Sequence, residues 1–464
     1  MCEGEKKSAA EKNEKETRRK AATEPEKSIL NQEALKPGED ALAEKALADP
    51  QAEKPPCKIT EAALRDKLRG MILYSAYADA LGAPQEVKAL SRGEVVDPAK
   101  LGDLRKLGDY NRAGEGDPKP FGMWVDTTLP AHKAAVGLPT DDTSIRVALI
   151  YPWLGEVAKG RFTLTEGGFY KYLRQVKPDN AVWSATRLEA AKAIIATLED
   201  AVRYAGLSPQ QRSGFTPNPK NKFWKPSANI IFGIFFYLEL AALAMNCDRA
   251  KVFRDGERRT RLEKDEGRFT TGLLSVIISR AVCKTDPKAK FGDFFFAEKQ
   301  EVVKRKLGKT RERARLSPEI DAARAFGEMQ KADSELDFVK ALSQRLFGKN
   351  GPQANFFSTG AEPYQPATFL KAFAAALGYA GGDHAKAIRI LAASAGDADT
   401  MPALLASIIG AFFGEAALGA DQKIKNGMAA AEAALAAKGG VDINALVAGL
   451  VALARKQGCC EVTK

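Results

Sequence analysis

Histidine is nearly absent from this chain: among 464 residues only His132 and His384 occur. That excludes a histidine-rich metal centre and leaves little for histidine-based acid–base work, so any chemistry has to lean on carboxylates. Cysteine is scarce as well. Cys2, Cys57, Cys247, Cys283, Cys459 and Cys460 form no CxxC pair and no zinc-type spacing, which excludes a disulfide-framed miniprotein and the common zinc modules. Reduced thiols and a cytoplasmic location are the expectation. Long apolar runs are missing too. The most apolar stretch, Ile230 to Met245, is short for a bilayer and carries Glu239, so it predicts a buried helix and no transmembrane segment. The opening residues Met1 to Lys7 contain no apolar stretch of the signal-peptide kind; a lipid tether through Cys2 is the alternative placement if the start is truncated.

Residues 1–57 contain no Phe, Trp or Tyr, are dense in Glu, Lys and Ala, and end near Lys54-Pro55-Pro56. Such a segment buries too little apolar surface to offset the entropy of ordering it, and a disordered charged tail is expected there. The folded domain is expected over 58–464. Formal net charge is +11 for the whole chain; the tail is slightly acidic, so the basic excess belongs to the domain. Such an excess favours anionic partners. No basic run interleaved with aromatics occurs, and no stable nucleic-acid complex is expected. A monomer is expected.

What remains is helical pattern. Thr60 is placed to cap a helix whose stripe runs Leu64, Leu68, Met71, Ile72, Ser75 and Ala76, with Gly82 and Pro84 as its stop. Asp79 falls on the same face as Leu64, and burying a carboxylate on a core face is costly unless it is partnered. Further helices are predicted over 141–151, 168–175, 185–205, 228–246, 267–283, 318–346, 366–378, 384–394, 402–417, 426–437 and 442–457. No convincing alternating strand pattern and no fixed-period repeat occurs. The fold class is all-α, a single large multi-helix domain.

Two acidic strings carry the chemistry. Pro139-Thr140-Asp141-Asp142-Thr143 and Gly396-Asp397-Ala398-Asp399-Thr400 each open a predicted helix. Capping accounts for one Asp per helix. Each string holds a second carboxylate beyond that, and adjacent carboxylates repel unless a cation is shared. Thr140, Asp141, Asp142, Asp397, Asp399 and Thr400 together offer hard oxygen ligands, suited to magnesium, manganese or calcium and not to zinc.

These residues resemble the ADP-ribosylglycohydrolase family. Arg69-Gly70 through Ala78-Asp79-Ala80-Leu81-Gly82-Ala83-Pro84-Gln85-Glu86 is similar to its opening helix and Gly-Asp-x-Leu-Gly turn. Thr140-Asp141-Asp142-Thr143 resembles its first metal motif, and Gly396-Asp397-Ala398-Asp399-Thr400, with Gly410-Ala411-Phe412-Phe413-Gly414 after it, resembles its last. The resemblance implies a compact all-α fold and two magnesium ions, with manganese as a substitute, held by the six residues above. It implies hydrolysis of a glycosidic bond to ADP-ribose on a modified macromolecule or small molecule. A non-catalytic ADP-ribose binder, or a protein that blocks an ADP-ribosyltransferase, is the alternative on the same fold. Glu86 takes the place of the family's mobile glutamate and, following a helix stop, is expected on a loop over the substrate ribose. The family's Gly-Asn-Gly pocket motif is reduced to the asparagine of Ser227-Ala228-Asn229-Ile230-Ile231, so a remodelled substrate pocket is expected and its contact residues are unassigned.

Overall fold

The structure is a computed structural model; it describes residues 57–92, 95–101, 142–143, 146–164, 166–175, 211, 216, 239–243, 249–259, 265–284, 289–331, 333–347, 366–457 and 460–463. In chain order the elements are β1 (Cys57–Thr60), α1 (Glu61–Arg92), a 3-10 turn (Pro98–Lys100), a π-helical turn (Arg146–Ile150), α2 (Tyr151–Ala158), α3 (Glu166–Gln175), α4 (Arg249–Arg259), α5 (Asp265–Val282), α6 (Phe291–Lys304) and α7 (Thr310–Met329). They continue with α8 (Glu335–Phe347), α9 (Pro366–Ala380), α10 (His384–Ala393), α11 (Thr400–Phe413), α12 (Glu415–Leu418), α13 (Gln422–Gly439), α14 (Ile443–Gln457) and β2 (Cys460–Thr463). The all-α expectation holds. The expected tail lies almost wholly outside the described residues, as do the predicted helix at 185–205 and most of 228–246, of which 239–243 is helical.

The core is built on α1 and α11. Thr60 caps α1 as its sequence position predicts, its Oγ1 accepting from the Ala63 N–H at 3.2 Å. Every residue of α11 from Thr400 to Phe412 is buried, the pattern of a helix enclosed on all sides. The two helices meet backbone to backbone. A Cβ on Gly70 would stand 2.7 Å from the Gly410 carbonyl oxygen, and one on Gly410 only 2.2 Å from that of Gly70. Only glycine at both positions permits this approach. Elsewhere in the core Trp153 lies edge-on to Phe169 with ring centroids 5.2 Å apart.

Several elements depart from the sequence-based expectation. The helix does not stop at Gly82 and Pro84: α1 runs on to Arg92. Glycine and proline weaken a helix by about 1 and 3 kcal/mol, but Gly82 is packed where a Cβ would stand 1.8 Å from the Ala398 carbonyl oxygen. The glycine thus serves a close contact, not a terminus. The stretch predicted as one helix over 318–346 is two, because Ser334 accepts at 3.1 Å from the Asp337 N–H and starts α8 anew. The helix expected over 402–417 is interrupted at Gly414, whose φ of 84° no helix accommodates. Helices α4 and α6 were not anticipated, and neither was the parallel pairing of β1 with β2, where Cys57 stands in register with Cys460 and Thr60 with Thr463. Four-residue strands leave too little periodicity to detect. Cys283 is disulfide-bonded, which departs from the expectation of reduced thiols.

Candidate metal centre

Three segments far apart in sequence converge at the N-terminal end of α11. Thr400 Oγ1 donates to Asp142 Oδ2 at 2.7 Å, across 258 residues of chain. Thr143 donates twice to one oxygen of Asp79, from its backbone N–H at 3.1 Å and its hydroxyl at 2.5 Å. Asp79 is fully buried, and Asp142, Thr143, Asp397, Asp399 and Thr400 are all buried as well. The carboxylate noted on the core face of α1 therefore has partners: it fixes the residue that follows the first acidic string.

The second string divides its work. Asp399 is the N-cap of α11, its Oδ1 accepting from the Thr400 N–H at 2.9 Å, and Asp397 Oδ1 accepts from the same group at 3.3 Å. Asp397 Oδ2 is buried with no hydrogen-bond partner. Burial first, then the neighbouring Asp399 charge, push the Asp397 carboxyl well above its ordinary range. Capping thus accounts for Asp399 and leaves an orphaned acidic oxygen on Asp397, an atom that a hard cation would satisfy. Among the described residues, no group of three or more His, Cys, Asp or Glu side chains is arranged to hold a metal ion. Thr140 and Asp141 lie outside the described residues.

A buried polar scaffold holds the first string. Arg146, one turn on, donates from Nε and Nη2 to Glu239 Oε1 at 3.0 and 2.5 Å, and from Nη1 to Ser75 Oγ at 2.6 Å. Ser75 in turn donates to the Ala403 carbonyl at 2.9 Å, and Tyr151 donates to the same Glu239 oxygen at 3.2 Å. One guanidinium thereby ties α1, α11 and the π-helical turn together. Burial pushes the Tyr151 phenol well above its ordinary value, so it stays a donor. π-Helical turns concentrate at functional sites, and this one starts three residues after Thr143. Ser75, Thr143, Arg146 and Glu239 were not picked out as site residues; the one signal was an acid inside an apolar run at Glu239.

Glu86 is corrected in one respect. It belongs to the helical backbone of α1 and not to a loop; its side chain lies outside the described residues, as does Asn229. Of the two histidines, His384 packs edge-on to Tyr74 and against Phe413 at 4.8 Å, and His132 lies outside the described residues.

Fold and site together define a helical domain with a buried acidic centre assembled at a helix N-terminus. The ADP-ribosylglycohydrolase family model matches residues 60–458, and the chain belongs to that family. Membership places it among glycohydrolases and implies an ADP-ribosylated substrate. A solved structure titled "ADP-ribosylglycohydrolase-related protein complex" is 17% identical, covering 81% of this chain and 99% of its own, with a TM-score of 0.39. No individually curated protein matches. Among the described residues, no helix is long and apolar enough to cross a membrane.

Proposed function

We propose that the protein is a magnesium-dependent hydrolase that cleaves the glycosidic bond between ADP-ribose and a modified macromolecule or small molecule. The observation that carries this reading is the bond from Thr400 to Asp142 beside the orphaned, buried Asp397 oxygen. It joins the two acidic strings into one centre of hard oxygen donors. Thr140, Asp141, Asp142, Asp397, Asp399 and Thr400 would hold two magnesium ions, with manganese able to substitute. When bound, such ions supply a water activated for attack and a fixed orientation of the ribose hydroxyls.

The chain's own groups do the rest. Asp79 holds Thr143, and Thr400 holds Asp142, and these hydrogen bonds support the reading by tying the described parts of the two strings together. Glu86 takes the proton from the attacking water, general base assistance worth about 10²–10⁴ in rate. The basic excess of the domain favours a substrate carrying a diphosphate.

Calorimetric titration of magnesium into wild type, Asp142→Asn and Asp397→Asn tests the centre. At least a tenfold loss of affinity is expected in both variants; unchanged affinity would return the acidic strings to helix capping. Release of free ADP-ribose from arginine-, serine- and nucleic-acid-linked substrates tests the reaction. Tight ADP-ribose binding with no turnover on any linkage would make the protein a non-catalytic binder.

A further inference from the structure

The first and last described elements meet in the parallel ribbon of β1 and β2. Cys57 and Cys460 are register partners there, as are Lys58 and Glu461, Ile59 and Val462, and Thr60 and Thr463. Side chains meet across this register: Lys58 Nζ stands 2.9 Å from Glu461 Oε2 on the exposed side of the ribbon. Strand alternation places Cys57 on the face of Ile59 and Cys460 on that of Val462. Ile59 is buried and Val462 packs against the core, so both cysteine positions belong to the inner face. Neighbouring strands run about 4.7–4.9 Å apart, inside the roughly 4.4–6.8 Å between Cα atoms that a disulfide bridges.

The ribbon is short for the place it occupies. A two-stranded ribbon is marginal alone, and parallel pairing is slightly weaker per residue than antiparallel. The Lys58–Glu461 pair is solvent-exposed, and such pairs contribute little. Yet β1 runs directly into α1, which carries Asp79 and Gly82, and β2 follows α14, whose Arg455 reaches Glu61 at the start of α1 at 2.6 Å. A covalent bond between the two strands would close about 400 residues of chain into one loop, and long loops are where a cross-link restricts the unfolded state most. Cys283 is disulfide-bonded, so the fold already holds an oxidised cysteine.

We propose that Cys57 and Cys460 are a disulfide-forming pair, a covalent staple between β1 and β2 that closes under a small-molecule disulfide of the glutathione class. One cysteine thiolate attacks the S–S bond of the oxidant, forming a mixed disulfide and releasing one small-molecule thiol. The other thiolate attacks the protein sulfur of that mixed disulfide, forming the Cys57–Cys460 bond and releasing the second thiol. The cysteine pair loses two electrons and two protons, and the oxidant takes up both. The staple is independent of the acidic centre and of the hydrolase reading.

The full chain, reduced under native conditions and then equilibrated with oxidised glutathione, is blocked with iodoacetamide and digested with trypsin. Mass spectrometry should find peptide 46–58 linked to peptide 457–464. Cys459 and Cys460 both lie in the second peptide, so variants decide between them: the link should persist in Cys459→Ser and be lost in Cys460→Ser and Cys57→Ser. In the oxidant, wild type should melt roughly 3–7 °C above Cys57→Ser, and the gap should close on reduction. No linked peptide, a link from peptide 46–58 to that of Cys283, a link lost in Cys459→Ser and kept in Cys460→Ser, or equal melting temperatures in the oxidant would each overturn the proposal.

Discussion

The buried pair of Arg146 and Glu239 offers the sharpest test of how the acidic centre is held. Their side chains are only 2% and 3% exposed, so water screens neither. Replacing Arg146 by Met leaves the Glu239 carboxylate buried with Tyr151 as its remaining described donor, and it also removes the donor to Ser75. Breaking a buried ion pair costs about 3–5 kcal/mol, because the stranded charge keeps its desolvation penalty and loses its compensation. Glu239→Leu should cost a similar amount by stranding the guanidinium. The double variant Arg146→Met, Glu239→Leu removes both charges at once, and such replacements are often close to neutral. The three variants should therefore be strongly non-additive, with a coupling of several kcal/mol. Urea denaturation followed by tryptophan fluorescence would measure it, with Trp153 as a buried reporter on α2. Single variants within about 1 kcal/mol of wild type, or a double variant that costs the sum of the singles, would refute the idea that this pair braces the site. Because Arg146 also reaches Ser75, and through it the Ala403 carbonyl, the double variant should still bind magnesium more weakly than wild type even where its stability is restored.

Gly82→Ala places a methyl against the Ala398 carbonyl and 2.8 Å from Asp399 Cα; backbone cannot yield cheaply, so the overpacking cost of about 1–3 kcal/mol should outweigh the gain in helix propensity, and calorimetry should show weakened magnesium binding with it. A variant more stable than wild type would mean that α1 and the 396–400 segment are not in contact. Lys67 is buried and donates to the Ala411 and Phe412 carbonyls at the end of α11, and burial pulls its ammonium down from 10.5 to about 8. The folded protein therefore binds fewer protons than the unfolded chain between about pH 8 and 10.5, and the Lys67 contribution to stability should rise with pH across that window by about 3 kcal/mol. Denaturation curves of wild type and Lys67→Met taken from pH 7 to 10 should diverge accordingly; curves that stay parallel would remove the effect.

The acidic strings were legible because charge repulsion is a local property: two aspartates and a threonine at a helix start demand explanation wherever the chain folds. So was the all-α class, since helical stripes such as Leu64, Leu68, Met71 and Ile72 need only neighbouring residues to be recognised. The cap at Thr60 and the buried position of Asp79 followed from the same short-range reasoning. The reach of α1 did not. Gly82 and Pro84 carry the local mark of a terminus, and their helical state depends on packing of Gly82 against Ala398, more than 300 residues away in sequence. The same holds for the bonds that make one centre out of separate motifs. That Thr400 meets Asp142, that Asp79 meets Thr143, and that Arg146 finds both Glu239 and Ser75 are facts about chain topology. Sequence determined which groups needed partners, because the cost of burying a charge or a hydroxyl belongs to the group itself. Only the tertiary structure decided which partners they received, because a hydrogen bond forms between atoms brought within about 3 Å, and that proximity is set by the packing of distant helices.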